Sequence, residues 1–299
     1  MKKLSILLVY MLLVAILGTF ATSAQKLELY EKTELYDKEH IPKKDPIPYP
    51  YVKEADVMWE KTVWRRINLR EKMNHPLYFP DKPIGDRKNL VTTLMDAVKE
   101  PVEGHPVFAY YAYNDYEFEQ PISYAEAIAG FDVDSIIEPQ IDSLGNRVMV
   151  LTQVDIKKGD VTSMLVKEKW FFDKKHSSLG VRIIGLCPLR VYPRTLLNQN
   201  TGMEEPTGEI LQEPLFWVYY PEVRWYMSRQ EAFNPHNDAQ SISFDDLFHQ
   251  RRFSSYIYKE SNVFENRRVD KYAKGMNAMF EAERIKESIR NFEHDLWEF

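Results

Sequence analysis

Three β-rich segments, RVMVLTQVDI (147–156), VTSMLVKEKWFFD (161–173) and LGVRIIGLCPLRVY (179–192), follow one another with only short polar stretches between them. A parallel neighbour needs a crossover of a dozen or more residues, so segments this close join most easily as an antiparallel meander. VFAYYAY (107–113), PLFWVYYP (214–221) and RRFSSYIYKES (251–261) read as further strands. Helical patterns stand on either side. Residues 88–100 predict a helix stopped by Pro101, and SYAEAIAG (123–130) a short one closed by Gly130. PEVRWYMSRQEAF and SFDDLFHQ read as two more, the second capped by Ser243 with Asp245 and Asp246 in its first turn. Trp59, Val63 and Ile67 recur every fourth residue after Asp56, which predicts a helix there with Asp56 as its N-cap. The last helix spans 277–298, with Ala282, Ile285, Ile289, Phe292 and Leu296 forming an apolar seam. That seam packs on the core or, alternatively, on a neighbouring subunit. The fold class is therefore α+β: a central antiparallel β-sheet meander with flanking helices and a long C-terminal amphipathic helix.

Four regions follow from this pattern. Residues 1–24 carry the marks of a signal peptide: Lys2 and Lys3, an apolar run from Leu4 to Phe20, and small residues before a cleavage point after Ala24. No cysteine stands there to take a lipid, so an exported chain without its own lipid anchor is expected. Residues 25–55 form a Pro-rich arm with prolines at 42, 46, 48 and 50, which block helix and central strand alike. Two readings stay open for it, a linker or an arm lying along a partner. Residues 56–275 form the α+β core domain, and 276–299 the C-terminal helix.

Chemistry is hard to find. The seven histidines fall at 40, 75, 105, 176, 236, 249 and 294 with no HExxH spacing. The single cysteine, Cys187, rules out a thiolate zinc site and an intrachain disulfide, and its apolar surroundings predict a buried thiol. Asp132, Asp134, Glu138 and Asp142 lack the glycine and alternation of a calcium loop, and read as a strand edge and turn. No GxSxG elbow and no phosphate-cradling glycine loop occurs. Ser255 and Lys259 in a strand would sit about 13 Å apart, too far for proton transfer. No catalytic, cofactor-binding or metal-binding residue is assigned. A net charge of −6 disfavours nucleic acid, whose phosphates call for accumulated positive charge.

What stands out is an excess of aromatic residues beside arginine, the combination enriched at protein–protein hot spots. The candidate partner residues are Pro46, Pro48 and Tyr49 in the arm, then Lys61, Trp64, Arg65 and Lys72, and the Arg251–Arg252 corner. Two rival classes remain: a module binding envelope glycan or cargo through exposed Trp and Tyr, and a cell-wall hydrolase.

Four long blocks carry a resemblance: VMWEKTVWRRINLREKMNHPLYFP, KEKWFFDKKHSSLGVRIIGLCPL, FNPHNDAQSISFDDLFHQRRFSSYIYKESN and AERIKESIRNFEHDLWEF. In that order they resemble the gliding motility protein GldN/PorN family, over nearly all of the chain from Glu54 onward. The resemblance implies a periplasmic, non-enzymatic subunit of the type IX secretion machinery, which in gliding bacteria also supports motility. It further implies a ring beneath the outer membrane, built with a GldK/PorK-like outer-membrane lipoprotein and meeting a GldM/PorM-like inner-membrane-anchored protein. The family has no attributed catalytic residues, so none is carried over.

Overall fold

The computed structural model describes residues 40–113, 118–131, 133–141, 147–156, 158–197, 204–235, 237 and 239–295. The expected leader, residues 25–39 of the arm, and Asp132, Asp142, His236 and Trp297 lie outside the described residues. In chain order the first strands are β1 (Val57–Asn68), β2 (Ala109–Tyr110), β3 (Pro121–Ile122), β4 (Val133–Ile141), β5 (Arg147–Ile156) and β6 (Val161–Asp173). They are followed by β7 (Ser178–Leu197), β8 (Glu204–Pro214), β9 (Trp217–Tyr219), β10 (Glu231–Ala232), β11 (Ile242–Ser243) and β12 (Tyr256–Glu260). The helices are α1 (His75–Tyr78), α2 (Leu90–Lys99), α3 (Tyr124–Ala129), α4 (Tyr220–Arg229), α5 (Phe244–His249) and α6 (Met276–Asp295).

Residues 57–68 correct the first expectation, for β1 is a strand and not a helix. A recurrence of four is also a multiple of two, so Trp59, Val63 and Ile67 share a strand face as readily as a helix face. The β-branched and aromatic residues Val57, Trp59, Thr62, Val63, Trp64 and Ile67 then decide for the strand. Asp56 closes a short 3-10 turn ahead of it.

This first correction forces a second. The main sheet runs β12–β1–β6–β7–β9–β2–β3, with β8 also pairing β7, and every pairing is antiparallel. A strand has two edges, and β6 gives one to β1 and the other to β7. None is left for β5, which pairs instead with β4 as a separate two-stranded ribbon. The meander is therefore β6–β7–β8 rather than β5–β6–β7. PLFWVYYP supplies only the three residues of β9, because helix α4 begins at Tyr220 with Pro221 in its first turn.

The expected short helices form with their caps. Ser123 and Ser243 each make a reciprocal capping box, with Glu126 and Asp246 respectively. Asn89 caps α2 by accepting from the Thr92 amide.

Helices α2, α4, α5 and α6 all sit on one face of the sheet. Ile67, Met164, Val166, Leu186 and Val218 meet Leu90, Leu94, Tyr220, Met227, Phe244 and Phe248 there. Beside them Val63 and Ile257 pack on Ala282, Ile285 and Ile289 of α6, while Trp59 stacks on Phe292 at 4.7 Å. Burying each isoleucine contributes roughly 1.5–3 kcal/mol. Alternation sends the next residue on β1 the opposite way, so Trp64 joins Cys187 and Trp217 on the other face. Gly185 matters on that face, because a Cβ there would lie 2.3 Å from the ring of Phe118. Cys187 is a buried free thiol, as its apolar surroundings predicted.

Candidate interaction surface

The described part of the Pro-rich arm lies along its own chain. Arg224 of α4 and Asp245 of α5 form a buried bidentate pair at 2.8 and 3.0 Å, and the Tyr220 hydroxyl donates to the same carboxylate at 2.9 Å. The Arg224 guanidinium lies 4.3 Å from the Tyr49 ring centre and donates to the Ile47 carbonyl at 2.7 Å. Lys44 pairs with Asp246, Ser228 donates to the Lys44 carbonyl at 3.0 Å, and Arg182 donates to the Pro50 carbonyl. Burial raises the Tyr49 phenol above its ordinary range, and does so more strongly at Tyr220. Burial alone would lower the Arg224 guanidinium, but its bond to Asp245 and that carboxylate's field outweigh it and raise it. Pro46 is half-buried and Pro48 exposed.

Trp64 and Arg65 share no face. Trp64 is buried, with Lys259 at 4.4 Å and Lys167 at 5.4 Å from its ring. Arg65 points the other way and donates to the Ser255 hydroxyl at 2.8 Å. Burial lowers its guanidinium despite the nearby Glu168 carboxylate. Lys61 pairs with Glu260 at 2.7 Å across the β1–β12 ladder. Arg251 holds the fully buried Glu168 at 2.9 and 3.1 Å, and Trp170 donates to that carboxylate at 3.0 Å. Lys72 and Arg252 are exposed. The structure thus gathers Lys61, Trp64 and Arg65 at the β1–β12 seam. It engages Tyr49 and Arg251 internally.

Beside that seam lies a surface that sequence reasoning missed. Among the described residues, strand β12 is the edge of the sheet and pairs with β1 alone. A groove of about 890 Å³ follows it, walled on one side by Ala278, Met279 and Ala282 of α6 and on the other by Tyr113, Leu189 and Trp217. Arg65, Arg66, Tyr256, Tyr258 and Lys259 line it too. An edge strand presents unpaired N–H and C=O groups, so a groove alongside one, lined by both apolar and charged side chains, suits an extended peptide that adds a strand. RRFSSYIYKES showed a strand in the sequence, but nothing local shows that a strand is an edge.

Among the described residues, no three His, Cys, Asp or Glu side chains gather closely enough to hold a metal. Ser255 and Lys259 are engaged elsewhere, by Arg65 and Trp64 respectively, on opposite faces of the seam. The Trp225 ring has His105 stacked at 4.4 Å and Arg229 at 4.0 Å, and no described tryptophan is exposed. A sugar platform needs an open ring face, which no described tryptophan supplies, while Tyr51, Tyr113 and Tyr256 are exposed.

The sequence profile of the family described as gliding motility associated protein GldN matches residues 52–298, most of the chain. No curated protein matches it. No helix among the described residues is long and apolar enough to cross a membrane.

Proposed function

The chain belongs to the gliding motility associated protein GldN family, components of the gliding and type IX secretion machinery, and from that premise we propose that it is a non-enzymatic structural subunit working in the periplasm. It assembles with a GldK/PorK-like outer-membrane lipoprotein into a ring with copies of itself, and contacts a GldM/PorM-like inner-membrane-anchored protein. It is held at the outer membrane through the lipoprotein. The observation that carries this reading is the edge position of β12 among the described strands, beside its groove, where a partner segment adds a strand. Of the residues singled out from sequence, Lys61, Trp64 and Arg65 shape that seam from below, while Lys72 and Arg252 are exposed.

Tyr256 lies half-exposed on β12 and lines the groove. Replacing it with Asp places an unpaired charge where the partner strand docks, and co-purification with the lipoprotein falls about ten-fold or more while the melting midpoint holds. Tyr256→Phe keeps the interaction. Full co-purification by a folded Tyr256→Asp protein removes the groove from the proposal. Turnover of a cell-wall substrate by the purified chain, abolished by one side-chain change, ends the structural reading.

A further inference from the structure

Arg65 and Arg66 follow one another on β1, so alternation sends them to opposite faces of the sheet. Both line the groove beside β12, which therefore reaches both faces at that edge. Each guanidinium is bonded to neutral groups. Arg65 donates to the Ser255 hydroxyl at 2.8 Å and to the Ser255 carbonyl at 3.2 Å. Arg66 donates to the Gln212 side-chain oxygen at 2.7 Å and to the Ser163 hydroxyl at 3.1 and 3.2 Å.

The neighbouring carboxylates are already engaged. Glu168 acts on Arg65 through its field, but its two oxygens are held by Arg251. Of the acids lining the groove, Asp270 pairs with Arg268 at 2.7 Å and Glu283 with Lys286 at 3.0 Å. Glu71 lines it too, but is exposed, where water and salt screen it. A hydrogen bond between a guanidinium and a carboxylate is roughly twice as strong as one between neutral groups. An incoming acid therefore gives each arginine a better partner than the hydroxyl or amide it now has.

The backbone beside them is regular. Strand β12 sets Ile257 opposite Arg65 and Tyr256 opposite Arg66, then bulges, since Trp64 stands opposite Lys259. A ladder added at this edge thus runs regularly along Tyr256 and Ile257 and is interrupted at the bulge. On the inner side Ala278, Met279 and Ala282 of α6 wall the groove, and the Met279 side chain is exposed.

We infer that the strand added at β12 is an extended, otherwise apolar segment of a partner protein with two consecutive acidic residues, one carboxylate reaching Arg65 on the α6 side and its neighbour reaching Arg66 on the outer side. Neighbours on a strand point apart, so an adjacent pair serves both arginines at once. The residue two places from the first acid returns to the α6 side, where Met279 receives an apolar side chain. This rests on the reading above that a partner segment adds a strand at this edge, and it names the chemistry of that segment. The chain as a whole carries a net charge of −6, so the attraction is local.

The probe is a short end-blocked peptide with two central glutamates between valines and threonines, titrated calorimetrically into the purified chain. It binds about ten-fold or more tightly than the same peptide with central glutamines, and added salt narrows the gap. Arg65→Gln/Arg66→Gln brings the two affinities together. Met279→Asp, at an exposed position that leaves the melting curve in place, weakens the glutamate probe by about ten-fold, which keeps the test open should the double variant fail to fold. Methylating alternate backbone nitrogens of the probe removes binding, because the ladder cannot form. Equal affinity for the glutamate and glutamine probes overturns the inference. So does a preference that persists in folded Arg65→Gln/Arg66→Gln, an undiminished affinity for the methylated probe, or full binding by Met279→Asp. Self-association that Tyr256→Asp abolishes and the probe fails to compete assigns the edge to a second copy, and overturns it too. Lipoprotein co-purification separates the two levels. If Tyr256→Asp loses the lipoprotein while the probe shows no acidic preference, only the acidic pair falls; if folded Tyr256→Asp keeps the lipoprotein in full, the groove falls from both.

Discussion

Arginines meet aromatic rings at two places in this molecule, and the two use them in opposite ways. At the α4–α5 end, Arg224, Tyr220 and Tyr49 close around Asp245, and their groups bind the chain's own arm. At the α6 end, Arg267, Phe264 and Tyr272 form an equally ordered cluster whose apolar surface is left in solvent. The composition is alike. The difference is whether a buried carboxylate and a stretch of backbone arrive from elsewhere in the chain to use the arginine. The first cluster is a clamp; the second is a display.

The comparison breaks most easily at the clamp. Asp245→Ala leaves the Arg224 charge buried without its partner and costs about 3–5 kcal/mol, read as a drop in the urea midpoint. A loss below about 1 kcal/mol would mean that water reaches the guanidinium and the clamp is no core device. Trp64→Ala removes a buried ring from the outer face of the sheet and costs about 3–5 kcal/mol. A Trp64→Ala protein with an unchanged melting curve would return Trp64 to the partner surface.

Smaller effects sharpen the contrast. Tyr49→Ala removes the ring stacked on Arg224 and costs about 1–3 kcal/mol. It also speeds tryptic cleavage at Lys43 and Lys44, since the arm then opens ahead of the domain. Asp246 should show a pH signature. Burial pushes its carboxyl up, but bonds from Lys44 and Ser243 outweigh burial and hold it below the usual carboxylate range. A lowered folded value means that its contribution is complete above the unfolded value of about 3.8 and is lost as pH falls through the folded one. Asp246→Asn therefore destabilises at neutral pH, and its difference from wild type closes as acid titrates the carboxyl; a gap that persists in acid would assign the loss to packing. The smallest effect belongs to the display: Phe280→Ala shifts stability by no more than about 0.5 kcal/mol. A larger loss would show that α6 needs this side chain for folding.

The caps and the long terminal helix were legible because their signals are local. Ser243 lies within one turn of the Asp246 that it caps, and the Ala282–Ile285–Ile289 seam is written by its own helical spacing even though it packs on distant Val63 and Ile257. The helix expected at 56–68 failed for a reason equally plain, since a step of four fits both periodicities. Placing β1 beside β6 then settled the fate of β5, which no inspection of 147–156 could reveal. The Trp64–Arg65 pair failed in the same way, because neighbours on a strand point apart.

By itself the sequence determined the α+β class, the antiparallel core of β6 and β7, the Ser243 cap, the buried thiol and the family. These depend on period, composition and short-range bonding, which neighbouring residues express together. Tertiary structure alone decided that the arm folds back on α4, that β12 is an edge with a groove beside it, and that the Phe264 cluster faces water. Each of these depends on groups brought from far along the chain: Tyr49 reaches Arg224, and Arg65 reaches Ser255. Whether an arginine beside an aromatic is a fastening or an offer is settled by what lies across from it in space.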